Sequence, residues 1–232
     1  MLIIMSTQGF KRARTPAQRE HRRHSILATT ASMLEQMPVA EVSLNELSRR
    51  VGLAKSNVLN YFESREAILL ELLDTEMEAW ADELDRELVS VSALQGQRVS
   101  LLSRTLATSM DQRPVMCDLI AAQTAVLERN ISTDATLLHK RRIGATVARI
   151  GESVQRLLPE LDSADAYEIL SITLLMASAV WPQAHPTQAV LAASECAPEI
   201  AGTQRTFTDA LGTAINLATT GLLAQKAGWA SR

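Results

Sequence analysis

The chain of 232 residues is 47% hydrophobic and 21% charged, the balance of an ordered, core-forming protein, which excludes intrinsic disorder. Aromatic residues make up only 3%, and Ala, Leu and Ser carry the composition over nine Gly and seven Pro, so helix is favoured and an all-β sandwich excluded. The net charge of −3 divides unevenly: residues 1–65 hold ten Lys/Arg against five Asp/Glu, and residues 66–232 hold thirteen against twenty-one.

Residues 1–14 are a polar arm ending in Lys11, Arg12 and Arg14, with no apolar periodicity, and are expected to be disordered in isolation. The opening MLIIM is too short for a signal-peptide core and its basic residues follow it, so Met5 is an alternative start. Thr15, Pro16 and Gln18 combine an N-cap, a proline at the first helical position and a capping-box partner, which starts a helix. It runs to about Met37, and Pro38 ends it. Ser43 and Glu46 form a second capping box, with Leu44, Leu47 and Val51 on one apolar side and Gly52 as the stop. Residues 55–62 are too few to be helical alone and must be held by packing Val58 and Phe62 on the two helices before them. Ser64 then caps a long helix with Leu69, Leu72, Leu73, Met77, Trp80, Leu84 and Leu88 at spacings of three and four. Further helices are predicted over about 97–111, 114–130, 133–158, 164–181 and 203–225, separated by prolines or polar turns, with a short helix near 188–194. The sum is roughly nine helices, with no convincing strand and no fixed-period repeat.

Residues 43–62, SLNELSRRVGLAKSNVLNYF, read as helix, glycine turn, helix, the unit that places its second helix in a DNA major groove. A helix that enters a groove must offer hydrogen-bonding groups on the face turned away from its own core. Here that face carries Lys55, Ser56, Asn57, Asn60 and Tyr61 with no acid among them, whereas a helix that only meets water is expected to mix acids with its lysines. The plainer alternatives are a short solvated helix for Lys55, Asn57 and Asn60, and a half-buried core tyrosine for Tyr61. Because the charge excess lies in the same N-terminal segment, a polyanion is drawn there and kept off the acidic remainder. On charge alone, that partner is a nucleic acid, a membrane surface or an anionic protein. Arg12, Arg14, Arg22 and Arg23 are either phosphate contacts or solubilising charges, and Arg49 and Arg50 read as a solvent face of the second helix.

Residues 22–73 resemble the N-terminal domain of the TetR/AcrR family of transcriptional regulators. The likeness lies in Ile26-Leu27, Ser43-Leu44 with Glu46-Leu47, Val51-Gly52-Leu53, Lys55, Tyr61-Phe62, Ser64-Arg65-Glu66 and the leucine-rich start of the next helix. Ala54 stands where the family often has a capping Ser or Thr, leaving Ser56 as an alternative cap. Leu59 replaces an aromatic, and Pro38 replaces a glycine. The resemblance implies an all-α fold: an arm (1–14), a three-helix DNA-binding domain (15–66) and a larger helical ligand-binding and dimerisation domain (67–232). It implies that Lys55, Ser56, Asn57 and Asn60 face base edges or nearby phosphates, that the Tyr61 hydroxyl donates to a phosphate, and that Ser43 and Arg65 touch the backbone. The expected partners are double-stranded operator DNA, a second copy of the chain and a small-molecule effector. The function so implied is a repressor relieved by that effector, and the alternative is a helical interaction module whose helix-turn-helix binds no DNA.

In the remainder, residues 169–181 are apolar nearly all round but short of a bilayer span, so they should form a core helix covered on every side. The last helix aligns Phe207, Leu211, Ala214, Ala218 and Leu222, with Ala210 and Gly221 as small neighbours, so that two such helices per subunit would suit the intersubunit four-helix bundle the resemblance implies. Trp80, Met110, Met116, Cys117, His139, Met176, Trp181 and His185 are candidates for lining an adaptable apolar pocket, against ordinary core packing. His139 to Arg142 reads as a solvated basic turn or a greeting for an anionic ligand. Cys117 and Cys196 form no metal or disulfide pattern, which suits a reducing cytoplasm. No phosphate loop, GxSxG or HExxH is present, so neither catalysis nor a cofactor or metal is expected.

Overall fold

The structure, a computed structural model, describes residues 15–89, 95–197 and 205–230. The arm over 1–14, with Arg12 and Arg14, lies outside them. The described residues form ten α-helices and no strand: α1 Pro16–Leu34, α2 Leu44–Val51, α3 Lys55–Val58, α4 Arg65–Val89, α5 Arg98–Asp111, α6 Pro114–Ala122, α7 Thr133–Leu157, α8 Ser163–Ala184, α9 Gln188–Cys196 and α10 Phe207–Ala230.

The head comprises α1 to α3. The Thr15–Gln18 capping box forms in both directions at 3.2 and 3.3 Å. Only half of the second box forms. Ser43 Oγ accepts from the Glu46 N–H at 3.1 Å, while the Glu46 carboxylate turns to Arg49 and Arg50. Gly52 ends α2 at φ 72°, in the left-handed region where a side chain would be strained. Ile26, Met33, Leu47, Val58 and Phe62 close the small core. Burial of Val58 and Phe62 is what holds α3, which has a single turn of regular helix before residues 59–61 tighten into a turn.

α4 leaves the head and runs 25 residues into the body. All seven apolar residues of its inward stripe are buried, from Leu69 to Leu88. It packs on α1 in the head and on α5, α6 and α7 in the body, while α10 lies across α5 and α8. Helix α1 ends at Leu34, short of the expected Met37, α10 spans Phe207–Ala230 where about 203–225 was expected, and three segments differ in character from the sequence expectation. The helix expected over 114–130 stops at Ala122 and continues as a π-turn, Gln123–Leu127. Helix α8 passes through Pro182 to Ala184, which the last turn tolerates because only one ladder hydrogen bond is lost. It is also not covered on every side, because Ile169, Leu170, Thr173, Ala177 and Trp181 face inward while Tyr167 and Leu175 are exposed. At 22 residues it is long and apolar enough to cross a bilayer by length and composition. In α10 the inward stripe is Phe207, Leu211, Ile215 and Thr219, and Ala214 and Ala218 lie beside it, half-buried. The reason is strict i, i+4 spacing, which carries the contact onto a threonine where hydrophobicity alone points to the alanines.

Candidate nucleic-acid interface

Helix α3 presents Lys55, Ser56, Asn57 and Asn60 to solvent and keeps Tyr61 half-buried. Its N-cap is Ala54, which makes no side-chain cap. Ser56 lies inside the first turn and does not supply one. With so little of its own hydrogen bonding, α3 is held from behind. Arg19 of α1 donates to the Asn60 carbonyl at 3.1 Å and lies 5.6 Å from the Tyr61 ring centre. Arg23, one turn on, donates to the Tyr61 carbonyl, pairs with Glu71 of α4 and sits over the Phe62 ring at 4.3 Å. Arg23 is therefore turned to the protein interior and away from the role of a free phosphate contact.

Ser43 is exposed at the start of α2, its oxygen engaged by the helix it caps. Arg65 donates to the Val42 carbonyl at 3.0 Å and pairs with Glu66 at 2.9 Å, so it braces the entry to α2. Arg49 and Arg50 both pair with Glu46, and these two hydrogen bonds hold its carboxyl well below the ordinary range, at about 2.

The head meets the body through backbone and side chain alike. The Val39 N–H donates to Asp118 at 3.1 Å, and the Ser132 N–H donates to Glu63 at 2.6 Å. Between them Asp74 of α4 accepts from His139 Nδ1 at 2.6 Å, and both side chains are buried. The other ring nitrogen of His139 lies 3.1 Å from the Gln123 amide nitrogen, which also donates to Glu128 at 3.0 Å. The second Asp74 oxygen is 3.6 Å from Arg142. Beside this cluster is a cavity of about 180 Å³ bounded by Arg23, Tyr61, Phe62, Glu71, Asp74 and His139. Farther along, α4 and α7 are joined by Arg149 to Asp82 and Arg156 to Asp85.

Of the pocket candidates in the body, His139 alone lines this cavity or either of two larger clefts, of about 370 Å³ between α5 and α10 and about 440 Å³ at the far end of the body. Trp80, Met110, Met116 and Cys117 lie wholly within the core. Trp80 Nε1 donates to Ser109 at 2.9 Å, and the Cys117 thiol, pushed far up by burial, donates to the Met110 carbonyl at 3.2 Å. Met176 is half-buried, and Trp181 packs edge-on to Phe207 with His185 over its other side. No group of three His, Cys, Asp or Glu is placed to hold a metal among the described residues. Sequence reasoning missed Arg19, Glu71, Asp74 and Gln123, and, naming Arg142 only within a basic turn, it missed the pairing with α4 of Arg142, Arg149 and Arg156. The one signal available was the seven-residue spacing of those last three arginines.

Comparison with known proteins assigns this arrangement. Residues 26–72 match the family of bacterial regulatory proteins named for tetR, and residues 74–226 match the tetracyclin repressor-like C-terminal domain. The chain belongs to the TetR family. The HTH-type transcriptional regulator EthR of Mycobacterium tuberculosis is 36% identical over 77 residues, which cover 30% of this TetR-family chain and 36% of EthR. EthR of Mycolicibacterium smegmatis is 38% identical over 55 residues, covering 24% of this chain and 25% of that one. The chain thus matches about a third or less of the length of these relatives. Among solved structures, the fatty acid degradation regulator FadR from Bacillus halodurans superposes with a TM-score of 0.55 at 12% identity, over 91% of this chain and 98% of that one. A TetR transcriptional regulator from Rhodococcus sp. RHA1 gives 0.52 at 14% identity, over 88% and 98%. At such identities these two show a shared TetR fold.

Proposed function

We propose that the protein is a homodimeric, sequence-specific DNA-binding transcriptional regulator of the cytoplasm, a repressor released from its operator by a small-molecule effector. The observation that carries the reading is the outer face of α3, where Lys55, Ser56, Asn57 and Asn60 are exposed together without an acid. Asparagine suits adenine and lysine suits guanine in the major groove, and Tyr61 and Ser43 border the face where phosphates would lie. Pairing of two copies is supported by large apolar side chains left in solvent on two neighbouring helices, Tyr167 at 62% and Leu175 at 69% exposure on α8 and Leu217 at 68% on α10. Control by an effector is supported by α4, which touches both the head and the body core. A ligand releases DNA only through its differing affinity for the competent and incompetent states, and a tilt of α4 would change the separation of the two recognition helices. Of the eight body residues named as pocket-lining, His139 is best placed for this, since it borders a cavity that also touches α4 and the Tyr61–Phe62 turn after α3.

Selection of bound fragments from random or genomic DNA tests the reading. It should return a palindromic operator whose half-sites lie about 34–36 Å apart or a multiple of that. Failure to enrich any sequence sinks it in favour of a helical interaction module. Asn60→Ala or Lys55→Ala should weaken specific binding by about 1–3 kcal/mol in a gel-shift titration. Tyr61→Phe should weaken all sequences alike. Leu217→Glu should yield monomers by light scattering, and an unchanged dimer would move the interface elsewhere.

A further inference from the structure

Helix α3 has one regular turn and no side-chain N-cap, and the turn over residues 59–61 that closes it leaves the Asn60 and Tyr61 carbonyls without a backbone donor. Carbonyls left open just past a helix end carry partial negative charge, and arginine side chains donate to them well. Arg19 and Arg23 lie one turn apart on α1 and reach these two carbonyls in turn. Arg23 is fixed on two further sides by the Glu71 carboxylate and the Phe62 ring. Arginine alone has a planar fork able to serve a carbonyl and a carboxylate at once.

We infer that Arg19 and Arg23 are positioning residues that clamp the C-terminal end of the recognition helix and so set its base discrimination, without themselves contacting DNA. The inference rests on the DNA-reading role of α3 proposed above. Val58 and Phe62 anchor α3 by apolar burial, with Leu53 and Tyr61 partly packed beside them. The clamp adds directional polar anchors at the Asn60 and Tyr61 carbonyls, which in this inference fix the rotation that aims Asn57 and Asn60. Glu71 ties the same clamp to α4, three residues from Asp74 and the His139 cluster, so a shift of α4 reaches the turn after the recognition helix through this ion pair as well as through the chain itself. An arginine used in this way contributes to the ratio of specific to nonspecific affinity. One that touches phosphate contributes to both affinities equally, and to the salt slope.

The test uses the full chain with Arg23→Lys and with Arg19→Gln/Arg23→Gln. The probes are a duplex selected from a random library by the wild-type protein and a scrambled duplex of equal length. The expected result is a fall of about tenfold in the ratio of selected to scrambled affinity, the size of one good base contact, with scrambled affinity and salt slope unchanged. Arg23→Lys keeps the charge, so it separates the fork from simple electrostatics and guards against misfolding of the double variant. An unchanged ratio in both variants overturns the inference, as does an equal loss on both duplexes with the salt slope reduced by about one per arginine. Amide hydrogen exchange of the free protein gives a readout independent of DNA. Residues 59–62 should exchange faster in Arg23→Lys while α2 and the first turns of α4 keep wild-type protection, and equal protection there overturns the clamp. If the wild-type protein selects no sequence, the regulator reading fails, and the exchange measurement still decides whether the clamp exists.

Discussion

The acids of α4 meet their partners in two kinds of surroundings. Toward the head, Glu71 meets an arginine whose other donor holds a backbone carbonyl, and Asp74 is buried between His139 and Arg142. Toward the far end, Asp82 and Asp85 meet Arg149 and Arg156 in water. The exposure of the acid rises from 5% at Asp74 to 50% at Asp85 and 67% at Asp82. Each pair sets a carboxylate against a nitrogen donor, imidazole at Asp74 and guanidinium elsewhere, and the largest contrast between the two ends is exposure to solvent. A buried carboxylate that loses a partner keeps its desolvation cost, whereas an exposed one is simply rehydrated. The polar pairs of α4 are therefore shielded at the head junction and open to water at Asp82 and Asp85, while Trp80, Leu84 and Leu88 and the Arg113 pairs with Glu76 and Glu83 hold the far half through the core side.

The largest expected effect breaks the buried end. His139→Ala removes the 2.6 Å donor to Asp74 and should destabilise the fold by about 3 kcal/mol in urea denaturation. The double variant Asp74→Leu/His139→Leu should recover much of that loss, because no polar group is then left unpaired. A loss below 1 kcal/mol for His139→Ala, or a double variant as weak as the single, would show that water reaches Asp74 and that the two ends of α4 do not differ.

Next in size are the exposed rungs. Arg149→Ala and Arg156→Ala should each cost less than about 1 kcal/mol, and the cost should shrink further in high salt. A salt-insensitive loss of about 2 kcal/mol at either position would mean that α4 is clasped along its whole length. Arg149 also donates to the Glu78 carbonyl at 3.0 Å, so it is the stricter test of the two.

The contrast along α4 also separates what the chain reveals from what it hides. The inward stripe, the glycine stop at Gly52 and the outward face of α3 follow from spacing within one helix, and each stands where periodicity puts it. The Arg23–Glu71 and His139–Asp74 pairs join residues 48 and 65 positions apart. Seen alone, each of these residues looks like part of a solvated face, and nothing local marks its partner. The π-turn at Gln123–Leu127 was hidden for a related reason, since apolar Ala125, Val126 and Leu127 continue a helical pattern without revealing the change of pitch. In α10 the pattern misled outright, because Ala214 and Ala218 compete with Ile215 and Thr219 for the same inward direction and only contact with α5 and α8 decides between them.

The smallest expected effect concerns Glu46, which belongs to the head yet behaves like the exposed rungs of α4. Its carboxyl is lowered from 4.5 to about 2 by hydrogen bonds from Arg49 and then Arg50, so the folded state holds the ionised form more strongly than the unfolded chain does. The stabilisation is therefore fully present above pH 4.5 and is lost as pH falls toward 2, where both states become protonated. Asp162, lowered to about 2 chiefly by its hydrogen bond from Lys226, titrates over a similar window, so the wild-type acid limb alone does not isolate Glu46. The difference between wild type and Glu46→Gln does. The wild-type protein should melt slightly higher at pH 7, and the gap should close between pH 4.5 and 2 while Asp162 contributes equally to both proteins. A gap that stays constant over this range would place the effect of Glu46 in the packing of its side chain and not in its charge, and a gap that vanishes in high salt at pH 7 would rank it with the outer rungs of α4.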